Sequence, residues 1–311
     1  MDSSNLADKL MANLNKKFGE GSIKEVKDSS ELLNVPAWID MPAEFKKATG
    51  GSGIPCGHIS QIVGESDTGK TTIVIEAMKG VEKAGGFTIF LDAEHKFDLE
   101  RYRKCGGNPS SVKFIDAEYL ETGWNVLRET VEQLSALKAE APDTPFLVVW
   151  DSLPFSVPEK ISNSEAENAH VAVEAKINNK EVRKVRSKLK NSNVAFLIVN
   201  HSYEEQGGMS FVKKEIVKGG KELYFGSLLV VKTQKRKTLK RAFKGDDNEY
   251  GMITKIKTLK SHAGSKSVVE LAITNHGYLT PEELEQYQGA LKGKSPEDVM
   301  AQTISELGVR D

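Results

Sequence analysis

One segment, Gly64-Glu65-Ser66-Asp67-Thr68-Gly69-Lys70-Thr71, constrains the fold of this chain more than any other. It fits G-x-x-x-x-G-K-[ST] without a gap. The apolar run ISQIV at 59–63 precedes it, and a helical pattern over 70–84 follows. A glycine-rich turn between a strand and a helix offers backbone N–H groups and the positive helix end to a phosphate. In such a turn Lys70 reaches the β- and γ-phosphates and Thr71 offers its hydroxyl to Mg²⁺. These sites sit at the carboxyl edge of an α/β sheet, so a layered core is expected.

The rest of the chain supports that expectation. Short apolar runs at 59–63, 87–91, 146–150 and 194–199 show little polar alternation, as strands covered on both faces should. Helical stretches at 70–84, 98–105, 123–138 and 172–191 separate them, which predicts a mostly parallel sheet with helices on both sides. Three strand ends carry chemistry. Asp151 follows the apolar run in LVVWDS, a position suited to holding Mg²⁺. In LDAEH, Asp92 and Glu94 lie two apart and project to one side of an extended chain, and Glu94 is the candidate general base for an attacking water. Asn200 and His201 end a third strand.

Outside this core, Leu6, Leu10, Leu14 and Phe18 recur every four residues and lay an apolar stripe on an N-terminal helix over 1–20. Prolines and glycines over 28–57 read as an irregular linker. Runs at 227–233, 251–258 and 267–274 predict further strands joined as hairpins. Thr280-Pro281-Glu282-Glu283 and Ser295-Pro296-Glu297-Asp298 each predict a helix start. The expected domains are 1–35, 36–280 and 281–311. No apolar run approaches the roughly 18 residues of a membrane span. The start MDSSNLADKL lacks a secretion-signal layout, and Cys56 and Cys105 imply no disulfide framework, so a cytoplasmic location is expected. Among the 311 residues, 43 Lys+Arg against 44 Asp+Glu leave a net charge of −1. That average hides segregation, because Lys and Arg crowd 213–260.

Taken together, NKKFGEGSI, GESDTGKTT, LDAEH, WDS, NVAFLIVNH and KGGKELYFGS resemble the RecA family of DNA strand-exchange ATPases, in family order and over roughly residues 5–280. The resemblance implies an α/β fold. Its RecA-like P-loop ATPase core has a mostly parallel central sheet flanked by helices, an N-terminal helical arm and a small C-terminal helical segment. It implies ATP and Mg²⁺ as cofactors. The nucleotide would be held by Gly64, Glu65, Ser66, Asp67, Thr68, Gly69, Lys70, Thr71 and Thr72, with Asp98, Arg101 and Tyr102 beyond them. Glu94 matches the catalytic carboxylate and Asp151 the Walker B aspartate. His201 stands where bacterial members usually have the glutamine that senses the γ-phosphate, and NHSYE is more similar to the phage branch. A histidine there adds the expectation of pH sensitivity near neutrality. Lys260 and His262 match the basic pair that reaches the ATP of a neighbouring subunit, although bacterial members have two lysines. Where the family often has a tyrosine on the adenine, this chain has Arg101 and then Tyr102, and the choice between them stays open.

The resemblance also implies DNA contacts. Residues 158–171 match the family's first DNA loop and 202–220 the second. The contacts would come from Val171, Lys176, Arg183, Met209, Phe211, Lys213, Lys214, Lys218, Gly219 and Gly220. Seven basic residues and no acid over 232–244 read as a basic hairpin facing nucleic acid. The implied partners are single-stranded DNA, double-stranded DNA and further copies of the chain in a helical filament. Leu6, Leu10, Leu14, Phe18 and Phe225 would lie at the subunit interface. Single-strand-binding and mediator proteins are further candidate partners, and no membrane is expected. If phage-encoded, the protein would work in the host cytoplasm. The expected function is ATP-dependent homologous pairing and strand exchange. The alternatives are a helicase on the same core or a non-exchanging mediator. Bacterial members usually carry a longer C-terminal domain with an acidic tail that restrains duplex access, so this chain is expected either to lack that restraint or to borrow it from a partner.

Overall fold

In a computed structural model of the chain, the described residues are 3–19, 34–51, 53–116, 118–159, 167–204, 215–243, 246–262, 264 and 267–290. The chain divides into two compact units, Met1–Asn34 and Val35–Asp311. The first holds helix α1 (Ser3–Phe18). Its four-residue apolar spacing forms a stripe on which Leu6, Leu10 and Phe18 are exposed.

The second unit is built on one nine-stranded sheet. Its strands are β3 (Ile59–Val63), β4 (Thr88–Asp92), β5 (Val112–Asp116), β6 (Phe146–Asp151), β7 (Val194–Asn200), β10 (Leu229–Phe243), β11 (Asp246–Ser261), β12 (Val268–Thr274) and β13 (Gly277–Leu279). Their spatial order is β13-β12-β11-β10-β3-β7-β6-β4-β5. The pairs from β10 through β3, β7, β6 and β4 to β5 are parallel. The pairs from β10 to β13 are antiparallel. Strands β3 and β7 are buried at every residue, so both their faces must be apolar.

Two cores result. On one face Ile62, Val74, Met78, Phe90 and Leu197 pack together under α3 (Lys70–Lys83). On the other, Trp124, Trp150, Val182, Phe196 and Ile198 pack under α5 (Leu120–Ala136) and α6 (Glu167–Leu189). Cys56 and Cys105 are free and buried.

Several elements differ from the sequence expectation. Strand β5 went unpredicted because it is an edge strand, with Lys113 and Phe114 exposed, and its pattern carries no apolar run. The expected linker over 28–57 contains α2 (Ala43–Thr49) and the paired strands β1 (Trp38–Ile39) and β2 (Ile54–Pro55). Pro42 precedes α2, and Gly50 closes it with a φ of 65°. Phe45, Ala48 and Thr49 form its buried face, at the three- and four-residue spacing of a helix. Helix α6 begins at Glu167, five residues earlier than expected. Strand β10 continues to Phe243, so the basic run to residue 243 lies on one long hairpin arm with β11 as the other.

Helix α8 (Pro281–Ala290) starts with a reciprocal cap. Glu283 N donates to Thr280 Oγ1 at 3.2 Å, and Thr280 N donates to Glu283 Oε2 at 2.6 Å. Its Tyr287 is buried beside Tyr250 and Leu279. The expected helix after Ser295 lies outside the described residues.

Candidate active site

The turn between β3 and α3 has the geometry a phosphate loop needs. Gly69 sits at φ 89° and Asp67 at φ 55°. A Cβ on Gly69 would lie 2.4 Å from Ile273 Cδ1, so the loop is backed directly by β12. Three threonines clamp it. Thr68 Oγ1 donates to Glu65 O at 2.8 Å and shares a 2.7 Å hydrogen bond with Thr233 Oγ1 of β10. Thr254 Oγ1 of β11 donates to Thr68 O at 3.1 Å. Sequence reasoning missed Thr233 and Thr254. Their one signal is a small hydroxyl two residues from a buried apolar side chain, as in Val231-x-Thr233 and Thr254-x-Ile256.

Lys70 opens α3 and is buried, with Nζ donating to Glu65 O at 2.6 Å and Gly64 O at 3.2 Å. Burial lowers its pKa, against the pull of the Asp151 and Glu94 charges. Glu65, Ser66 and Asp67 are exposed on the loop, and Thr71 is half-buried. Thr72 accepts from Arg101 Nη2 at 2.7 Å, which brings Arg101 to the end of the loop. Asp98 caps α4 (Leu99–Lys104) by accepting from Arg101 N at 2.9 Å. Tyr102 must leave the nucleotide set. Its ring is fully buried against Phe97, and its hydroxyl donates to Glu82 at 3.1 Å. Burial pushes that hydroxyl far above the usual tyrosine value. A ring sealed in the core cannot stack on a base.

Asp92 and Asp151 are register partners on β4 and β6, and Glu94 follows Asp92 by two residues. Asp151 is pushed up to about 7, first by burial and then by the charges of Glu94 and Asp92, with Lys70 and Lys96 opposing. A buried carboxylate under that repulsion invites a cation. Thr71 and Asp151 are a donor set suited to Mg²⁺, which takes few protein ligands and completes its shell with phosphate oxygens and water. Accordingly, no cluster of three or more His, Cys, Asp or Glu forms a metal cage among the described residues.

Glu94 is held by three neighbours. Ser152 Oγ donates to Oε1 at 2.7 Å, Lys96 Nζ to Oε2 at 3.2 Å, and His201 Nε2 stands 3.6 Å from Oε1. Burial alone would raise its pKa. The hydrogen bonds from Ser152 and Lys96 and the Lys96 charge outweigh it, and the carboxyl sits below its ordinary value. Neither Ser152 nor Lys96 was assigned a role from sequence. His201 Nε2 is buried and makes no hydrogen bond among the described residues; the atom it faces is Glu94 Oε1 at 3.6 Å. Burial, then the Lys70 charge, lowers the His201 pKa against the pull of Glu94. The pH sensitivity expected near neutrality is therefore displaced to the acid side.

The tip of β7 connects to the second loop. Asn200 Nδ2 donates to Gln61 Oε1 at 3.0 Å and to Lys218 O at 2.8 Å. Lys218 N donates to His201 O at 3.1 Å. Strand β8 (Ser202–Glu204) then pairs antiparallel with β9 (Glu215–Val217), so the loop's base is a short ribbon. Gly219 and Gly220 follow at φ 91° and 93°. Lys218 and Lys176 are exposed, and Arg183 is ion-paired with Glu222 at 3.2 Å. Val171 lies within α6. Met209, Phe211, Lys213 and Lys214 lie outside the described residues.

Lys260 and His262 are not brought to the loop of their own chain. Lys260 Nζ donates to Tyr224 O at 3.2 Å and Phe225 O at 2.7 Å, at the end of α7 (Lys221–Gly226), and His262 is exposed. Phe225 is 65% exposed.

The profile of the RecA N-terminal domain family matches residues 5–275. The chain belongs to the RecA family. It is 29% identical over 231 residues to Protein RecA of Aquifex aeolicus, covering 72% of this chain and 64% of that protein. Protein RecA of Rippkaea orientalis is 30% identical over 253 residues, covering 80% of this chain and 67% of that protein. For Protein RecA of Mycobacteroides abscessus the identity is 30% over 252 residues, with 81% and 68% covered. The chain thus spans about two thirds of the length of these RecA relatives. The mostly parallel sheet with the loop at its carboxyl edge is the RecA-like core.

Proposed function

We propose that this RecA-family chain is a DNA-dependent ATPase that polymerises on single-stranded DNA, binds duplex DNA and exchanges strands. One observation carries the reading. His201 stands beside Glu94 at the phosphate loop, while its own carbonyl holds Lys218 at the base of the second loop. The same residue thus meets both the nucleotide site and the DNA loop.

In this reading Lys70 and the loop amides hold the β- and γ-phosphates, and Thr71 and Asp151 hold Mg²⁺. Mg²⁺ held there would supply charge neutralisation to the phosphates. Glu94, ionised and oriented by Ser152, places the attacking water and takes its proton. Nucleotide on His201 alters the Asn200–Lys218 anchor, which biases the loop between DNA-tight and DNA-loose states. Arg101 faces the adenine. Lys260 and His262 act on the ATP of a neighbouring copy, since their own chain keeps them elsewhere. Val171, Lys176, Arg183, Met209, Phe211, Lys213, Lys214, Lys218, Gly219 and Gly220 contact the DNA, mainly its backbone, which suits sequence-independent binding. The basic arm of β10 offers a second surface for duplex.

Strand exchange and single-stranded-DNA-stimulated hydrolysis, measured for wild type and Glu94→Gln, test the reading. The variant should bind nucleotide and DNA but hydrolyse ATP about 100-fold more slowly. Equal turnover by the two would remove Glu94 from its role. A wild type that hydrolyses ATP without pairing strands would remove the recombinase.

A further inference from the structure

We propose that Lys96 is a positioning residue for Glu94, held in place by the ring of Phe155. The inference rests on the reading of Glu94 as the group that orients water. A carboxylate that must face one direction needs both oxygens held. Ser152 holds Oε1 at 2.7 Å, and the Lys96 ammonium holds Oε2 at 3.2 Å.

The turn that carries the pair is itself tied down. Asp92 accepts from Lys96 N at 3.4 Å and from Phe97 N at 3.2 Å, with His95 between at φ 52°. Glu94 and Lys96 therefore leave one short, anchored segment with a single residue between them. Lys96 is 71% exposed in its side chain and Glu94 only 16%. An exposed ion pair contributes little to stability. The exposed lysine here instead orients a nearly buried partner.

Phe155 stands beside that lysine. Its ring is half exposed, and Lys96 Nζ lies 5.5 Å from its centroid. The ring of His201 lies 5.7 Å from Phe155 on the same site. One aromatic side chain thus stands against both the cation on Oε2 and the imidazole beside Oε1. Cations favour the face of such a ring.

The test uses the full chain with single-stranded DNA. ATP hydrolysis and the Kd of a fluorescent ATP analogue are measured for wild type, Lys96→Met, Lys96→Arg and Phe155→Leu. Lys96→Met should lower kcat by about 10- to 100-fold, with KM and Kd changed by less than about twofold. Lys96→Arg should recover most of the rate, and Phe155→Leu should fall between. An unchanged kcat in Lys96→Met, beside a normally active wild type, overturns this inference alone. A parallel loss of nucleotide affinity overturns it too, since it would place Lys96 on the nucleotide. A wild type without hydrolysis defeats the Glu94 reading and this inference with it.

Discussion

Among the described carboxylates, Asp151 is pushed furthest above its ordinary value. Burial and two neighbouring carboxylates hold its pKa near 7, against an ordinary value of 3.8. In the window between about 4 and 7 the folded chain keeps a proton that the unfolded chain has lost. Stability from this group is thus present at low pH, lost as pH rises through the window, and flat above it. Asn at this position has nothing to ionise. In metal-free buffer Asp151→Asn should be more stable than wild type at pH 8, by more than about 1 kcal/mol. The difference should vanish near pH 4, and urea titrations at both pH values check it. The same variant should lose Mg²⁺-dependent hydrolysis. If wild type and variant share one stability profile, the carboxylate is not strained.

At the scale of elements, the phosphate loop is as much a product of β10 and β11 as of β3 and α3. Thr233 and Thr254 come from strands whose residues lie 165 and 186 positions away from Thr68. They hold the hydroxyl and the carbonyl of Thr68 in the loop. Thr233→Val keeps the volume and removes the 2.7 Å bond. Such a bond contributes about 1 kcal/mol, so nucleotide affinity should fall about fivefold with the fold intact. Isothermal titration with ATP checks this, and an unchanged Kd would mean the clamp does not shape the loop. The β7 tip works in a similar way. Gln61 in β3, Asn200 in β7 and Lys218 beyond β9 are joined by side-chain bonds, so a shift at one strand end is felt at the loop base. Gln61 also donates to Leu223 O and Ser227 Oγ, which ties α7 to the same network.

At the scale of the whole molecule, charge and apolar surface are unevenly distributed. The net charge of −1 averages over a basic hairpin and acidic segments elsewhere. Exposed Lys235, Arg236 and Lys237 lie together on β10, although Arg236 also meets Glu270 at 3.4 Å. Helix α1 belongs to its own compact unit and exposes Leu6, Leu10 and Phe18. An apolar stripe of that kind gains stability by burial against another surface. A contact between unlike surfaces of successive copies generates an open filament. Removing residues 1–20 should leave ATP affinity and thermal unfolding of the remaining chain unchanged while abolishing polymers on single-stranded DNA. Sedimentation velocity checks this, and unaltered polymers would give α1 another role.

The parts that the sequence alone determined share one property: their residues are close along the chain. Gly64–Thr71, Asp151 after its apolar run, and the Thr280–Glu283 cap are local patterns, and local sterics or hydrogen bonding decide them. The extended chain expected across Asp92 and Glu94 instead stops at Asp92, where β4 ends and the chain bends. Apolar strands without alternation announced a sheet covered on both faces. Only the tertiary structure decided which distant side chains meet. Sheet order and register placed Thr233 and Thr254 on the loop, Asp92 opposite Asp151, and Ser152 and Phe155 around Glu94. The same packing sealed Tyr102 in the core and left Arg101 at the loop, a choice that neighbouring positions in sequence leave open. Burial is likewise a property of the packed molecule, which is why the direction of every pKa shift at this site emerged only with the fold.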